Sequence, residues 1–344
     1  MTRRVTRGVA MRPPRQVNLA QCEGYPPLPS KVILGYMTGR QIGAVAGIVL
    51  GAIGCMKADR VVAVQNDVVQ MDGGDDAAWG RGPFSAPTVV AGLAAADTDV
   101  HGASLTQDEL EIYFSCARKG EASFHIWTST RASRDAKWNT ATMPNELVGP
   151  ADDADPDVSW DGLTIYFASN RSSAGFGLYV AQRIARDQPW VELAAIQELS
   201  PPTMDRYGPS VDPDGLFMAF GSAPLGKNGY RLYSASRSDT ASGWGNVREL
   251  SGINSGKEDN DPALFHASLS LVWSSRAPSN GASWDLVEVS RSDPSTPFSA
   301  APIRLDSLNT GFSERYPWVS QDGTHILFSR EPEGSPGVIY EAWR

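Results

Sequence analysis

The sequence predicts an all-β fold, a five-bladed β-propeller of four-stranded antiparallel blades, and three observations carry that expectation. A turn returns at spacings of 53, 53, 53 and 55 residues, counted between Asp108, Asp161, Asp214, Ala267 and Asp322. After each turn comes an apolar, aromatic-rich run: LEIYFSC from Leu110, LTIYFAS from Leu163, LFMAFGS from Leu216, LSLVWSS from Leu269 and THILFSR from Thr324. A third strand then ends in arginine at Arg131, Arg183, Arg237, Arg291 and Arg344, 22 to 24 residues beyond the turn. Four short antiparallel strands cannot bury both sheet faces alone, so such units must stack on copies of themselves. A single β-sandwich also has short strands and frequent turns, but it has no reason to repeat at this period.

The second copy shows the elements most clearly. Val158 to Gly162 reads as a strand entering a tight turn, where Asp161 and Gly162 supply the backbone geometry. Leu163 to Ser169 is β-branched and aromatic, which suits a strand buried on both faces. Asn170 to Gly177 is the next turn, Leu178 to Arg183 the third strand, and Trp190 to Leu199 the fourth, outer strand. An aromatic precedes the outer strand in four copies, at Trp138, Trp190, Trp244 and Phe298. The turns of copies one (Gln107-Asp-Glu109) and four (His266-Ala-Ser268) depart from Asp-Gly and are expected to be looser.

The fifth copy ends at its third strand. Pro83-Phe-Ser-Ala-Pro87-Thr-Val-Val90 resembles Pro297 to Leu305, the outer strand of copy four, so residues near 83 to 93 are expected to complete the last blade and close the ring. Closure removes the free sheet edges that invite aggregation.

The strings DPDVSWDGLTIYFASNR, SVDPDGLFMAFGS and YPWVSQDGTHILFSR resemble the WD40-like propeller repeats of TolB and related bacterial envelope proteins. The resemblance covers about residues 97 to 344. It implies the propeller fold and is loose for function, because that family holds many unrelated binding roles.

Upstream, residues 1–54 read as an unstructured leader and a lipoprotein-type signal segment. Residues 1–36 are basic and lack apolar periodicity. Met37 to Arg40 is a short basic start, and Ile42 to Gly54 is an uncharged run of 13 residues, too short to span a bilayer but fit for the h-region of a secretory signal. Translation from Met37 would place that start at the N-terminus. Gly51-Ala-Ile-Gly-Cys55 resembles a lipobox, with Ala52 where leucine is usual, and this makes Cys55 the expected lipidation site. Residues 55–82 read as an acidic flexible tether and 83–344 as the propeller. The Asp72-Gly-Gly-Asp-Asp76 patch reads as linker rather than a calcium site. The expected location is the bacterial envelope, exported and lipid-anchored on the periplasmic or outer-membrane face. Of three cysteines, Cys22 precedes the cut and Cys55 would carry lipid, leaving Cys116 without a partner.

Charge bounds the partners. The chain carries −9 overall, and residues 1–54 hold seven Lys+Arg against one acid, so the remainder is at −15. An acidic domain does not suit phosphate backbones, and nucleic acid is not an expected partner. No Gly-rich phosphate loop, G-x-S-x-G elbow or paired-His zinc motif occurs, so no cofactor and no metal are expected.

In a propeller the segments leading into the innermost strands meet at one mouth of the central channel, where ligands commonly bind. Alignment of the copies places His101, Ala154, Tyr207, Asn260 and Arg315 at one level and Val100, Asp153, Arg206, Asp259 and Glu314 just before. The ring differs from blade to blade, which favours His101, Asp153, Arg206, Tyr207, Asp259, Glu314 and Arg315 as a binding surface. The competing reading is that these acids cap turns and satisfy backbone amides. Two functions follow: a monomeric envelope scaffold that binds a protein or glycan, or a glycoside hydrolase whose carboxylates, among Asp153, Asp259 and Glu314, lie about 5 to 9.5 Å apart.

Overall fold

Five antiparallel sheets, laid end to end around a circle, follow from the five copies of the repeat. The computed structural model describes residues 82–93, 98–118, 120–121, 123–171, 175–277 and 282–344. Cys55, the leader and nearly all of the tether lie outside them. After the short strand β1 (Thr88–Val89), the first blade contains β2 (Asp99–Leu105), β3 (Glu111–Ala117) and β4 (His125–Thr130). Its outer edge is reduced to one bridge between Thr128 and Thr142. The second blade is β5 (Asp153–Val158), β6 (Thr164–Ser169), β7 (Gly177–Gln182) and β8 (Val191–Ala195), followed by a 3-10 turn at Gln197–Leu199. The third is β9 (Met204–Val211), β10 (Phe217–Pro224), β11 (Arg231–Ser236) and β12 (Gly245–Glu249). The fourth is β13 (Asp259–Phe265), β14 (Ser270–Ser275), β15 (Asp285–Ser290) and β16 (Ile303–Arg304). The fifth has β17 (Ser313–Val319), β18 (His325–Glu331) and β19 (Val338–Trp343), and β1 pairs with β19 as its fourth strand, Thr88 opposite Glu341 and Val89 opposite Tyr340.

The innermost strands pack on one another in a closed circle, β2 on β5, β5 on β9, β9 on β13, β13 on β17 and β17 on β2. Burial concentrates at the five seams between blades. One apolar cluster joins Tyr113, Ile126 and Leu147 of the first blade to Val158, Ile165 and Phe167 of the second. The cluster between the fourth and fifth blades includes Phe84, so the closing segment contributes to the core as well as to the sheet.

The repeated arginines staple each blade internally. Nε of Arg131, Arg183, Arg237, Arg291 and Arg344 donates to the carbonyl of Glu109, Gly162, Gly215, Ser268 and Gly323, at 2.6 to 2.9 Å. Each guanidinium lies over the aromatic that opens the outer strand, 4.2 to 4.4 Å from the ring centroid of Trp138, Trp190, Trp244, Phe298 and, in the fifth blade, Phe84. Three of them also hydrogen-bond to the preceding blade, Arg183 to Glu111, Arg237 to the Tyr166 hydroxyl and Arg344 to Glu288, and Arg291 lies over Phe217 of the third.

The turn of the fourth blade is tied, not loose. His266, Ala267 and Ser268 all take left-handed backbone (φ 52, 51 and 64°), a costly conformation for non-glycine residues. It is held because the buried His266 ring contacts Ser270 Oγ and the Asp322 carbonyl, both at 3.1 Å, while the Ser268 hydroxyl donates to Asp212 of the third blade.

Candidate functional site at the channel mouth

Each innermost strand contains a bulge at the same place. Gly102, Asp155, Gly208, Asp261 and Tyr316 have φ between 52 and 61°, and the strand register shifts around each. Their spacing repeats that of the turns, so His101, Ala154, Tyr207, Asn260 and Arg315 do share one level, and Val100, Asp153, Arg206, Asp259 and Glu314 the level before it.

The carboxylates of Asp153, Asp259 and Glu314 do not converge on the channel. All three are fully buried and are bonded within their own blades. Asp153 accepts from Gly149 N–H (2.8 Å) and Ser169 Oγ (2.7 Å) and is paired with Arg171. Asp259 accepts from Ser255 N–H and Oγ, both at 2.7 Å, and from Trp273 Nε1 at 3.0 Å. Glu314 accepts from Thr310 N–H and Oγ1 and from Arg330 Nε at 2.7 Å. Buried carboxylates persist only when satisfied in this way.

One residue earlier, the acids clasp neighbouring blades. Asp99, Asp152, Asp205, Glu258 and the Ser313 hydroxyl accept from the N–H of Gly337, Phe124, Phe176, Gly229 and Trp284. The next amide returns a bond to the preceding blade, Val100 to Gly337, Asp153 to Phe124, Arg206 to Phe176, Asp259 to Tyr230 and Glu314 to Trp284. These bonds cross every seam, including the one between the fifth blade and the first.

The clasp brings to the mouth a set of residues that the sequence reading passed over. Phe124, Phe176, Tyr230 and Trp284 occupy equivalent positions, seven before the arginine that ends each third strand, and Gly337 holds that position in the fifth blade. The four aromatics are half-buried. Phe176 packs on Tyr207 at 4.3 Å between ring centroids, and Tyr207 meets Tyr230 edge-on at 5.6 Å. Phe124 packs on His101 at 4.4 Å, and His101 stacks on Tyr316 at 4.5 Å. Arg315 lies over both Tyr316 and Trp284, at 4.3 and 4.6 Å. The mouth is therefore a collar of aromatic rings, interleaved with His101 and Arg315. The arginines that close the third strands supplied the alignment that exposes it.

Beneath the collar the lumen is a cavity of about 50 Å³, lined by Asp155, Asp157, Asp261, Tyr316, Trp160 and Gln321 among others. Arg315 Nε holds Asp261 Oδ2 at 3.1 Å, and Asp155 Oδ2 accepts from Gly208 N–H at 3.2 Å. The second oxygen of each aspartate has no hydrogen-bond partner. Burial, with the charge of Asp261 added, pushes Asp155 up to about 7, and burial pushes Asp157 to the same range. His101 is held down at about 3 by burial and by Arg315, so its ring is neutral. Among the described residues no group of three or more His, Cys, Asp or Glu is placed to hold a metal ion, and no helix is long and apolar enough to cross a membrane.

Five antiparallel blades closing on a lumen define the chain as a five-bladed β-propeller, a fold it shares with solved structures. A thermostable family-43 glycoside hydrolase superposes with a TM-score of 0.51 at 15% identity, over 74% of this chain and 91% of that one. The catalytic domain of the Coprinopsis cinerea GH62 α-L-arabinofuranosidase gives 0.51 at 9% identity, over 76% and 96%. TolB from Acinetobacter baumannii gives 0.42 at 14% identity, over 71% and 54%. No protein-family model matches the chain, and no curated protein sequence matches it. At these identities the likeness is one of fold, shared by proteins of different activity.

Proposed function

We propose that the chain is an extracytoplasmic binding module, lipid-anchored through Cys55, whose propeller holds an envelope protein or glycan at the collared mouth. The observation that carries this reading is the aromatic collar: Phe124, Phe176, Tyr207, Tyr230 and Trp284 present half-buried ring faces at one end of the channel, where loops of all five blades meet. Rings of this kind contribute large contact area at small entropic cost and act as anchors in binding sites. The saturated carboxylates of Asp153, Asp259 and Glu314 favour the same reading, because each would have to break its own blade's hydrogen bonds to act on a substrate.

Asp155 supports a second reading. A carboxyl near pH 7 facing a lumen with a second acid, Asp261, is the composition of a glycoside hydrolase acid and its partner. His101 Nδ1 lies 3.8 Å from Asp155 Oδ1 and Arg315 holds Asp261, so both acids already have neighbours, which favours binding over turnover.

The test compares the parent protein with a Phe176→Ala, Trp284→Ala variant as bait for crosslinked envelope proteins and glycans. Retention by the parent, and loss in a variant that melts normally, supports the collar. Shortening of a bound oligosaccharide by the parent but not by Asp155→Asn would replace the binder with the hydrolase.

A further inference from the structure

Arg206 breaks the rule of its own ring. At its level the second, fourth and fifth blades carry Asp153, Asp259 and Glu314, each hydrogen-bonded inside the blade. In the second and fifth blades the neutralising group is an arginine seated on aromatic rings: Arg171 lies over Phe167 and Tyr179, and Arg330 over Phe328 and Tyr340. The third blade has the same pair of rings, Phe220 stacked on Tyr233 at 6.1 Å, and Arg206 lies over Phe220 at 4.9 Å. The guanidinium therefore occupies the arginine's seat while the chain position that should supply its carboxylate is the arginine itself.

The result, among the described residues, is a cation without an anion. Arg206 is 7% exposed, and its Nε and Nη1 have no hydrogen-bond partner. Burial alone pulls its pKa down to about 10. The nearest acid in sequence, Asp205, is already committed, accepting from Phe176 N–H and Gly226 N–H at 2.8 Å each. A buried, uncompensated guanidinium is among the more costly features a fold can hold. The next residue in the strand is Tyr207, which packs on Phe176 and meets Tyr230.

The geometry points to a carboxylate-binding subsite in the third blade, in which Arg206 pairs with the carboxylate of an acidic sugar, a uronic acid residue, whose ring lies against the collar aromatics. A sugar is favoured over a peptide terminus because consecutive residues of one strand offer both kinds of recognition it requires: the Arg206 guanidinium for one carboxylate, and Tyr207, packed with Phe176 and Tyr230, for an apolar ring face edged by hydroxyls. The net acidity of the domain admits a ligand with isolated carboxylates and opposes a dense polyanion. The inference rests on the mouth-binding reading and specifies its ligand.

Titration of the full chain with trigalacturonate, with galactotriose as the neutral counterpart, tests it. Trigalacturonate is expected to bind, more weakly as salt rises, and galactotriose at least tenfold less well. Arg206→Met should lose at least tenfold in affinity for trigalacturonate while melting higher than the parent, because it removes an unpaired buried charge; Arg206→Lys should recover part of the affinity. Equal binding of the two sugars, undiminished affinity in Arg206→Met, or preference for a peptide with a free C-terminal carboxylate would overturn the proposal. If Arg206→Met keeps its envelope partner and Phe176→Ala, Trp284→Ala loses it, the collar reading stands and the carboxylate subsite falls. If neither variant loses a partner, both fall.

Discussion

The Arg344 guanidinium lies 4.3 Å from the centroid of the Phe84 ring, so an element before the first blade supplies the aromatic seat of the last. Phe84 is 3% exposed and belongs to the core between the fourth and fifth blades. Phe84→Ala is expected to destabilise the propeller by about 3–5 kcal/mol, the usual cost of truncating a buried phenylalanine. Chemical denaturation checks it, and a loss below about 1 kcal/mol would mean that the Phe84 ring is dispensable for closure.

Arg183 and Glu111 form a buried pair across the seam between the first two blades, at 2.6 Å. Removal of one partner leaves the other charge buried and uncompensated. Arg183→Met and Glu111→Gln are each expected to cost about 3–5 kcal/mol, with the double variant recovering part of the loss. A double-mutant cycle measured by urea unfolding gives the coupling directly, and strict additivity would contradict it.

Asp153 and Glu314 offer a test that separates structure from catalysis. Asp153→Ala strands Arg171, and Glu314→Ala strands Arg330, so each should lower stability by several kcal/mol. The first visible effect of either change is expected in the melting curve at ordinary ligand concentration. A variant that melts like the parent but loses a hydrolytic activity would return these acids to the active-site reading.

The pH dependence has a definite sign. Asp157 has a folded pKa of about 7 against 3.8 unfolded, so its contribution is fully present below about pH 4 and is lost as pH rises through 7. The stabilisation of Asp157→Asn over the parent should therefore grow between pH 5 and 8. His325 acts in the same direction by a different route. It sits 3.3 Å from Glu109 of the first blade and 3.4 Å from Glu341 of the fifth, and although burial opposes its charge these acids raise its pKa above the usual value. Its contribution is complete below about 6.5 and falls as pH rises through the folded value. His325→Gln should flatten that part of the profile, and an unchanged profile in both variants would exclude the pair as its source.

The repeat was legible because every blade needs the same local chemistry. Asp108, Asp161 and Asp322 each accept from the amide two residues on, and each terminal arginine finds its turn carbonyl, within about 25 residues of chain. Interactions that short leave their mark at a fixed spacing. The match between Pro83–Val90 and the outer strand of the fourth blade is such a mark, and it located ring closure. The alignment likewise groups His101, Tyr207 and Arg315, each of which immediately precedes the bulge residue of its strand.

Which way those side chains turn was decided only in three dimensions. Asp153 and Asp155 are two residues apart in a single strand, yet one is sealed inside the second blade by Arg171 and the other faces the lumen. The bulge at Asp155 reverses the alternation that strand periodicity would give, and its N–H donates across the seam to the Ser115 hydroxyl of the neighbouring blade. Arg206 is the same case. Its residue type stands in the sequence, but its lack of a partner is a property of everything that surrounds it. Local hydrogen bonds and burial pattern determined the blades, their number and their order. Contacts between blades, which join residues from 28 to 238 positions apart, decided which groups are satisfied and which remain to meet a ligand.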